Sequence, residues 1–242
     1  NGDANQDASE TTRPAPEFVF GDKSASYKTT EPREQNKRCL TCHDKDPKRT
    51  LWEGSAHDVN NVSCVSCHSI HSATDKVREK KTQVDVCVSC HRDQRLEINK
   101  ISHHPLKEGK VSCSSCHNMH GWAGPKMMKT NTVNETCFTC HAEKRGPLLW
   151  EHQPVAENCG NCHNPHGSSL TPLLKSRAPF LCQECHDGPH ASRTAYGSQV
   201  AGRQGGIANN TKLTEFASGR ACMNCHSMVH GSNHPAGALL HR

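Results

Sequence analysis

The sequence predicts short α-helices and loops, with almost no sheet, wrapped around a core that the polypeptide does not itself supply. Three observations predict it. The 242-residue chain is 33% apolar even with its 16 cysteines counted, and only 4% aromatic. Such a chain cannot bury enough apolar surface to offset the entropy of its own ordering. A five-residue unit, Cys-x-x-Cys-His, recurs eight times. Finally, breakers such as Asn164-Pro165-His166-Gly167 and Gly146-Pro147 divide the chain into short stretches, of which Arg92 to Lys100 has helical composition, and strand signals are few.

The eight units comprise Cys39, Cys42 and His43; Cys64, Cys67 and His68; Cys87, Cys90 and His91; Cys113, Cys116 and His117; Cys137, Cys140 and His141; Cys159, Cys162 and His163; Cys182, Cys185 and His186; and Cys222, Cys225 and His226. They use every cysteine. This spacing is the attachment signature of c-type haem, in which two thiols add across the vinyl groups and the next histidine coordinates the iron. Zinc sites also use Cys-x-x-Cys pairs but need no histidine directly after each second cysteine. Iron–sulfur clusters need thiolates without that histidine. A disulfide framework would not hold every pair at one spacing, and a thioredoxin-like motif occurs once, beside a βαβ pattern. The expected cofactors are eight covalently bound haem c groups, about one per 30 residues. The fold class is a multihaem cytochrome c: short α-helices and loops around an elongated haem chain that is itself the core.

Taken in order, residues 1–35 are polar, carry Pro14, Pro16 and Pro32, and read as a mobile tail or a docking arm. Residues 36–242 read as a single elongated domain of four two-haem modules, about 39–86, 87–136, 137–181 and 182–242. Each module adds two histidines beyond its motifs: His57 and His71, His104 and His120, His152 and His166, His190 and His230. These are the expected distal ligands, and the motif histidines the proximal ones. Sixteen histidines suit eight six-coordinate irons; of the 19 present, His103, His234 and His241 stand outside the pattern. His104 is preferred to His103 for the proline after it, and His230 to His234 for its distance from His226. A histidine three residues after its motif lies on the proximal side of its own haem, so it is expected to ligate a neighbouring haem. Trp52 and Trp150, which precede His57 and His152, are expected on haem edges. The glycine-rich insertion at 191–219 reads as a surface loop.

Two axial imidazoles leave iron no open position, so the chain is expected to transfer electrons rather than act as an enzyme. The 5 methionines do not follow the repeat and are assigned no iron. The formal charge of +5 is offset by haem propionates to about −3, so basic composition gives no argument for nucleic acid. No apolar run approaches the roughly 20 residues of a membrane helix, and no alternating ten-residue segments suggest a barrel. Haem c is attached outside the bacterial inner membrane, so a periplasmic location with a removed signal peptide is expected.

The repeats resemble a known family. Cys137–His141 followed by Ala142-Glu143-Lys144-Arg145-Gly146-Pro147, Leu149-Trp150-Glu151-His152 and the run 159–167 are similar to MtrA-type (MtrA/PioA/DmsE) periplasmic cytochromes, as is the closing run 226–235. The resemblance covers roughly residues 35–242. Members commonly carry ten haems, and this chain matches the last eight; the two N-terminal motifs are absent. The resemblance implies a haem wire inside an outer-membrane β-barrel porin, taking electrons from a periplasmic donor cytochrome and passing them to an extracellular multihaem cytochrome. The alternative reading is a soluble periplasmic shuttle serving a terminal reductase. A multihaem reductase would need a five-coordinate haem, against the complete histidine count, and a filament subunit would borrow a ligand that this chain already has.

Overall fold

The computed structural model describes residues 16–21, 29–70, 72–186, 222–235 and 237–240. The insertion at 191–219, with His71, His190 and His241, lies outside the described residues.

Among the described residues eight short helices follow the chain: α1 Pro32–His43, α2 Ala56–Val59, α3 Lys80–Val88, α4 Arg92–Glu97, α5 Cys113–Cys116, α6 Val133–Phe138, α7 Gln153–Glu157 and α8 Phe180–Gln183. Single 3-10 turns complete the set, among them Cys64–Ser66, Cys159–Asn161 and Cys222–Asn224. Local chemistry sets the starts. Pro32 and Pro154 occupy the first turns of α1 and α7, where a missing N–H costs nothing. Thr132 and Glu135 form a reciprocal capping box at α6. Pairing between strands is confined, among the described residues, to isolated bridges: Ser102 with Ser168, His117 with Met128, Trp150 with Ser232 and His163 with Leu174. The described residues form helix and loop without a sheet.

The interior is polar. Among the described residues the buried apolar side chains are Trp52, Val84, Ile98, Leu106 and Met128, of which Val84, Ile98 and Leu106 cluster together. Large apolar side chains stand in the open instead, Ile101 at 85% and Leu96 and Leu149 at 70% exposure. Buried amides do the structural work that a core would do elsewhere. Asn36 accepts from the Cys64 N–H at 2.7 Å and donates to the Val62 carbonyl at 3.0 Å. Gln83 accepts from the Ser114 N–H at 2.8 Å and donates to Val77 at 2.6 Å. Asn134 accepts from the Cys159 N–H at 2.6 Å and donates to the Val155 and Ala156 carbonyls. Each amide sits on the helix that carries the first motif of a pair and holds the turn that carries the second.

The N-terminal stretch expected as a tail is packed where it is described. Val19 and Thr30 pair through backbone and hydroxyl, and buried Gln35 bonds Gly21 and Thr30. Arg38 lies over the Phe18 ring. Helix α1 begins at Pro32, inside the stretch read as tail.

Candidate haem centres

Each motif occupies one helical turn. The first motifs of the pairs lie at or beyond the C-terminal ends of α1, α3, α6 and α8, and the second motifs in α5 and the 3-10 turns. In seven motifs, from His68 to His226, the histidine N–H bonds the carbonyl of the first cysteine at 2.9–3.0 Å. That four-residue hydrogen bond winds the first cysteine and the histidine onto one face of the turn.

The turns adjoin one another in chain order. Within pairs, the thiols of Cys39 and Cys64, Cys87 and Cys113, Cys137 and Cys159, and Cys182 and Cys222 are hydrogen-bond partners. Between pairs, Cys67 acts on the charge of Cys87, Cys140 on Cys116, and Cys185 on Cys162. Burial pushes the free thiols of Cys64 and Cys137 up to about 12 and that of Cys182 to about 11. Cys87 and Cys113 share one hydrogen bond, which raises Cys87 and lowers Cys113 to about 7. Thioether bonds would abolish these titrations.

The histidines face each other across the repeats. Ring centroids lie 6.0 Å apart for His57 and His91, 6.1 Å for His68 and His120, and 6.3 Å for His104 and His141. They lie 6.1 Å apart for His117 and His166, 6.0 Å for His152 and His186, and 6.2 Å for His163 and His230. In every pair one ring belongs to a motif and the other to a histidine that the repeat singled out. Metal–imidazole bonds run about 2.0–2.1 Å for zinc, and a ring centre sits about 1.2 Å behind its nitrogen, so two imidazoles on one metal have centres about 6.3 Å apart. The residues present therefore fit a six-coordinate haem iron between each pair, with two thiols beside it for attachment.

Hydrogen bonds set the ring orientations. Nδ1 of His57, His104 and His152 donates to the carbonyls of Met119, Pro165 and Val229 at 2.9, 2.7 and 2.9 Å. Each of those carbonyls directly precedes His120, His166 or His230, so one contact straps consecutive modules. Nδ1 of His117, His163 and His226 donates to the Lys126, Pro172 and Leu239 carbonyls. A carbonyl only accepts, so Nδ1 carries the proton and Nε2 keeps its lone pair for a metal. Partial burial holds His117, His120, His166 and His230 below the usual histidine range, which keeps them neutral, the form that ligates. His68 differs: its Nδ1 bonds the Asp75 carboxylate at 2.7 Å. Burial opposes the charge on Asp75, but hydrogen bonds from His68 and the Ser69 N–H outweigh it and hold the carboxyl below its usual range.

The ring facing His141 is that of His104, while His103 is held locally by the Lys100 carbonyl and Glu108. The ring facing His163 is that of His230. His120, His166 and His230 each face the second motif of the preceding module. His43 is exposed, and no histidine ring faces it among the described residues. Trp52 is buried with its ring 6.3 Å from that of His120. Two features escaped the sequence reading. Asn36 and Asn134 stand three residues before Cys39 and Cys137, a recurrence that could have signalled them. The glycine after each of His120, His166 and His230 is the other: a Cβ on Gly121 would run into the Leu51 carbonyl, on Gly167 into that of Glu97, and on Gly231 into the Leu148 side chain.

Comparison with known proteins agrees with this geometry. The family of the doubled CXXCH motif matches residues 103–146 and 152–191, and that of the NrfB-like c-type cytochromes matches residues 3–84. Multiheme cytochrome MtrA of Shewanella baltica is 50% identical over 229 residues, which are 94% of this chain and 65% of that protein. Cytochrome c-type protein NrfB of Haemophilus influenzae is 38% identical over 82 residues, 32% of this chain and 34% of its own. The high-molecular-weight cytochrome c of Nitratidesulfovibrio vulgaris is 24% identical over 188 residues, 65% of this chain and 33% of that protein. The chain thus spans less than two thirds of the length of these relatives. Over 94% of its length it is similar to an MtrA-type multihaem c-type cytochrome, and its repeated Cys-x-x-Cys-His motifs are those by which haem c is attached.

Proposed function

We propose that the chain is an electron conduit of eight bis-histidine haem c groups, running through an outer-membrane porin and joining periplasmic donors to an extracellular multihaem cytochrome. The observation that carries this reading is the ladder of facing histidines, each rung at the spacing of two imidazoles on one metal. Haem iron, when bound, accepts and releases single electrons. The residues do the rest. Two imidazoles on each iron would leave it no open position and would oppose substrate binding there. Motif adjoining motif in chain order keeps neighbouring centres close, as hopping requires. The same pattern favours the division into four two-haem modules.

In this reading His57, His104 and His152 each complete the first iron of the next module, those of His91, His141 and His186. His120, His166 and His230 each complete the second iron of the preceding module, those of His68, His117 and His163. The distal ligands of His43 and His226 are left to histidines outside the described residues, of which the repeat offers His71 and His190.

Among the described residues no helix is long and apolar enough to cross a membrane, so a conduit needs a partner that spans it. The likeness to MtrA supports a location on the periplasmic side, inside the barrel of such a partner. Co-purification tests this. Solubilised outer membranes should yield the haem-stained chain with a stoichiometric β-barrel; a free monomer confined to the periplasmic fraction would favour the shuttle to a terminal reductase. The ligand set is tested separately. His104→Ala should convert one haem to high spin, and His103→Ala should leave the low-spin spectrum intact.

A further inference from the structure

We propose that Asp75 lowers the reduction potential of the iron held by His68 and His120, by presenting a carboxylate to an axial imidazole where the other modules present a backbone carbonyl. The inference rests on the ligation proposed above and goes one step beyond it, to the control of a single centre.

The four second-motif histidines occupy equivalent places. His117 reaches the Lys126 carbonyl at 3.0 Å, His163 the Pro172 carbonyl at 2.9 Å and His226 the Leu239 carbonyl at 2.6 Å. In each case the chain loops back so that a neutral carbonyl meets Nδ1. His68 meets the carboxylate of Asp75 instead, at 2.7 Å, and the second oxygen of Asp75 accepts from the Ser69 N–H. That pair of bonds fixes the carboxylate on the ring. The side chains of His68 and Asp75 are 32% and 18% exposed, so water screens the interaction only in part.

The consequence follows from charge. A carboxylate sharing the Nδ1 proton makes the imidazole a stronger donor through Nε2. Ferric iron carries one more positive charge than ferrous iron, so the stronger donor stabilises the ferric state more. Reduction by one electron then requires a lower potential. The nearest parallel is Glu97 beside Nδ1 of His166, but that contact is longer, 3.4 Å, and its other oxygen is engaged by Asn164. Glu143 beside His141 is more distant still, 3.8 Å, and largely exposed. Because His120 comes from the second module, Asp75 places this energy step at the junction of the first two modules.

Asp75→Asn tests the proposal in the intact holoprotein, since it keeps the shape and an acceptor and removes the charge. Haem number is read by mass, spin state by EPR, and potentials by a potentiometric titration with one-electron components. The expected result is one component moved to higher potential, with the other components, the haem number and the low-spin state unchanged. Asp75→Glu, which keeps the charge but displaces it, should give a smaller upward shift, and it decides the matter if the Asn variant does not assemble. A wild-type titration in whichever variant assembles would overturn the role of Asp75, because a purely structural residue moves no potential. High-spin iron at the 64–68 motif of the wild-type protein would overturn the axial pairing itself, and is distinguishable from unmoved potentials in a fully low-spin protein.

Discussion

Asn134→Ala should open the joint between the motifs at 137–141 and 159–163. The amide is 7% exposed. Its oxygen accepts from the Cys159 N–H at 2.6 Å, and its nitrogen donates to the Val155 and Ala156 carbonyls at 2.8 and 3.0 Å. Truncation removes three hydrogen bonds and leaves their partners in a partly dry joint. One such bond is worth about 1 kcal/mol net, and an unsatisfied buried group costs about 1–3 kcal/mol. The Cys159 N–H has no substitute acceptor in the turn, whereas the carbonyls can rotate toward water, so a net loss of about 2–3 kcal/mol is reasonable. At about 1.4 kcal/mol per factor of ten, hydrogen exchange at the Cys159 amide should rise about 30- to 150-fold. The assay is exchange followed by mass spectrometry on peptides spanning 156–163 of the holoprotein. Asn161→Ala is the control: its amide donates to the Pro154 carbonyl at 2.9 Å from an exposed position, and its loss should change exchange by less than about tenfold. Unchanged protection in Asn134→Ala, or equal effects in both variants, would refute the view that buried amides rather than an apolar core join these motifs.

Two further outcomes follow from the geometry. Gly167→Ala puts a methyl group into the Glu97 carbonyl, and since backbone cannot yield as a side-chain tip does, the strap between the second and third modules should loosen. Proteolysis of the holoprotein should become faster within 97–104 and 164–168, while Gly54→Ala, with open space around it, should not have that local effect. The ring planes also differ: they cross at 63° and 55° in the pairs His57–His91 and His104–His141, and lie within 25° of parallel in the other four. Crossed axial imidazoles bring the iron d orbitals closer in energy and give highly anisotropic low-spin EPR signals. His57→Ala or His104→Ala should each remove one such signal, and His166→Ala should remove an ordinary rhombic one.

The sequence by itself singled out the residues that would hold haem c and predicted what kind of chain this is. Covalent attachment needs cysteines and histidine within five residues, so the chemistry is written locally and survives any uncertainty about folding. The shortage of apolar residues carried the same weight: it foretold a molecule in which Val84, Ile98 and Leu106 form a small cluster and polar groups fill most buried places. The helices on Pro32, Thr132 and Pro154 were within reach of capping rules, although the packing of Phe18, Gly21 and Thr30 against α1 was not, because single contacts from an irregular segment leave no period to read.

Tertiary structure decided which rings meet. His104 and His103 are neighbours of identical chemistry, and only the fold turns one toward His141 and the other toward Lys100 and Glu108. That His120 faces His68 across 52 residues, rather than a haem of its own module, depends on how one module lies against the next. The strap from His57 to the Met119 carbonyl and the space cleared by Gly121 make that arrangement possible. Asp75 on Nδ1 of His68 belongs with these: the two stand seven positions apart, and a carboxylate in such a stretch has no identifiable partner until the chain has folded back. Short-range chemistry is fixed by spacing along the chain, whereas contacts across modules depend on backbone paths that no local pattern encodes.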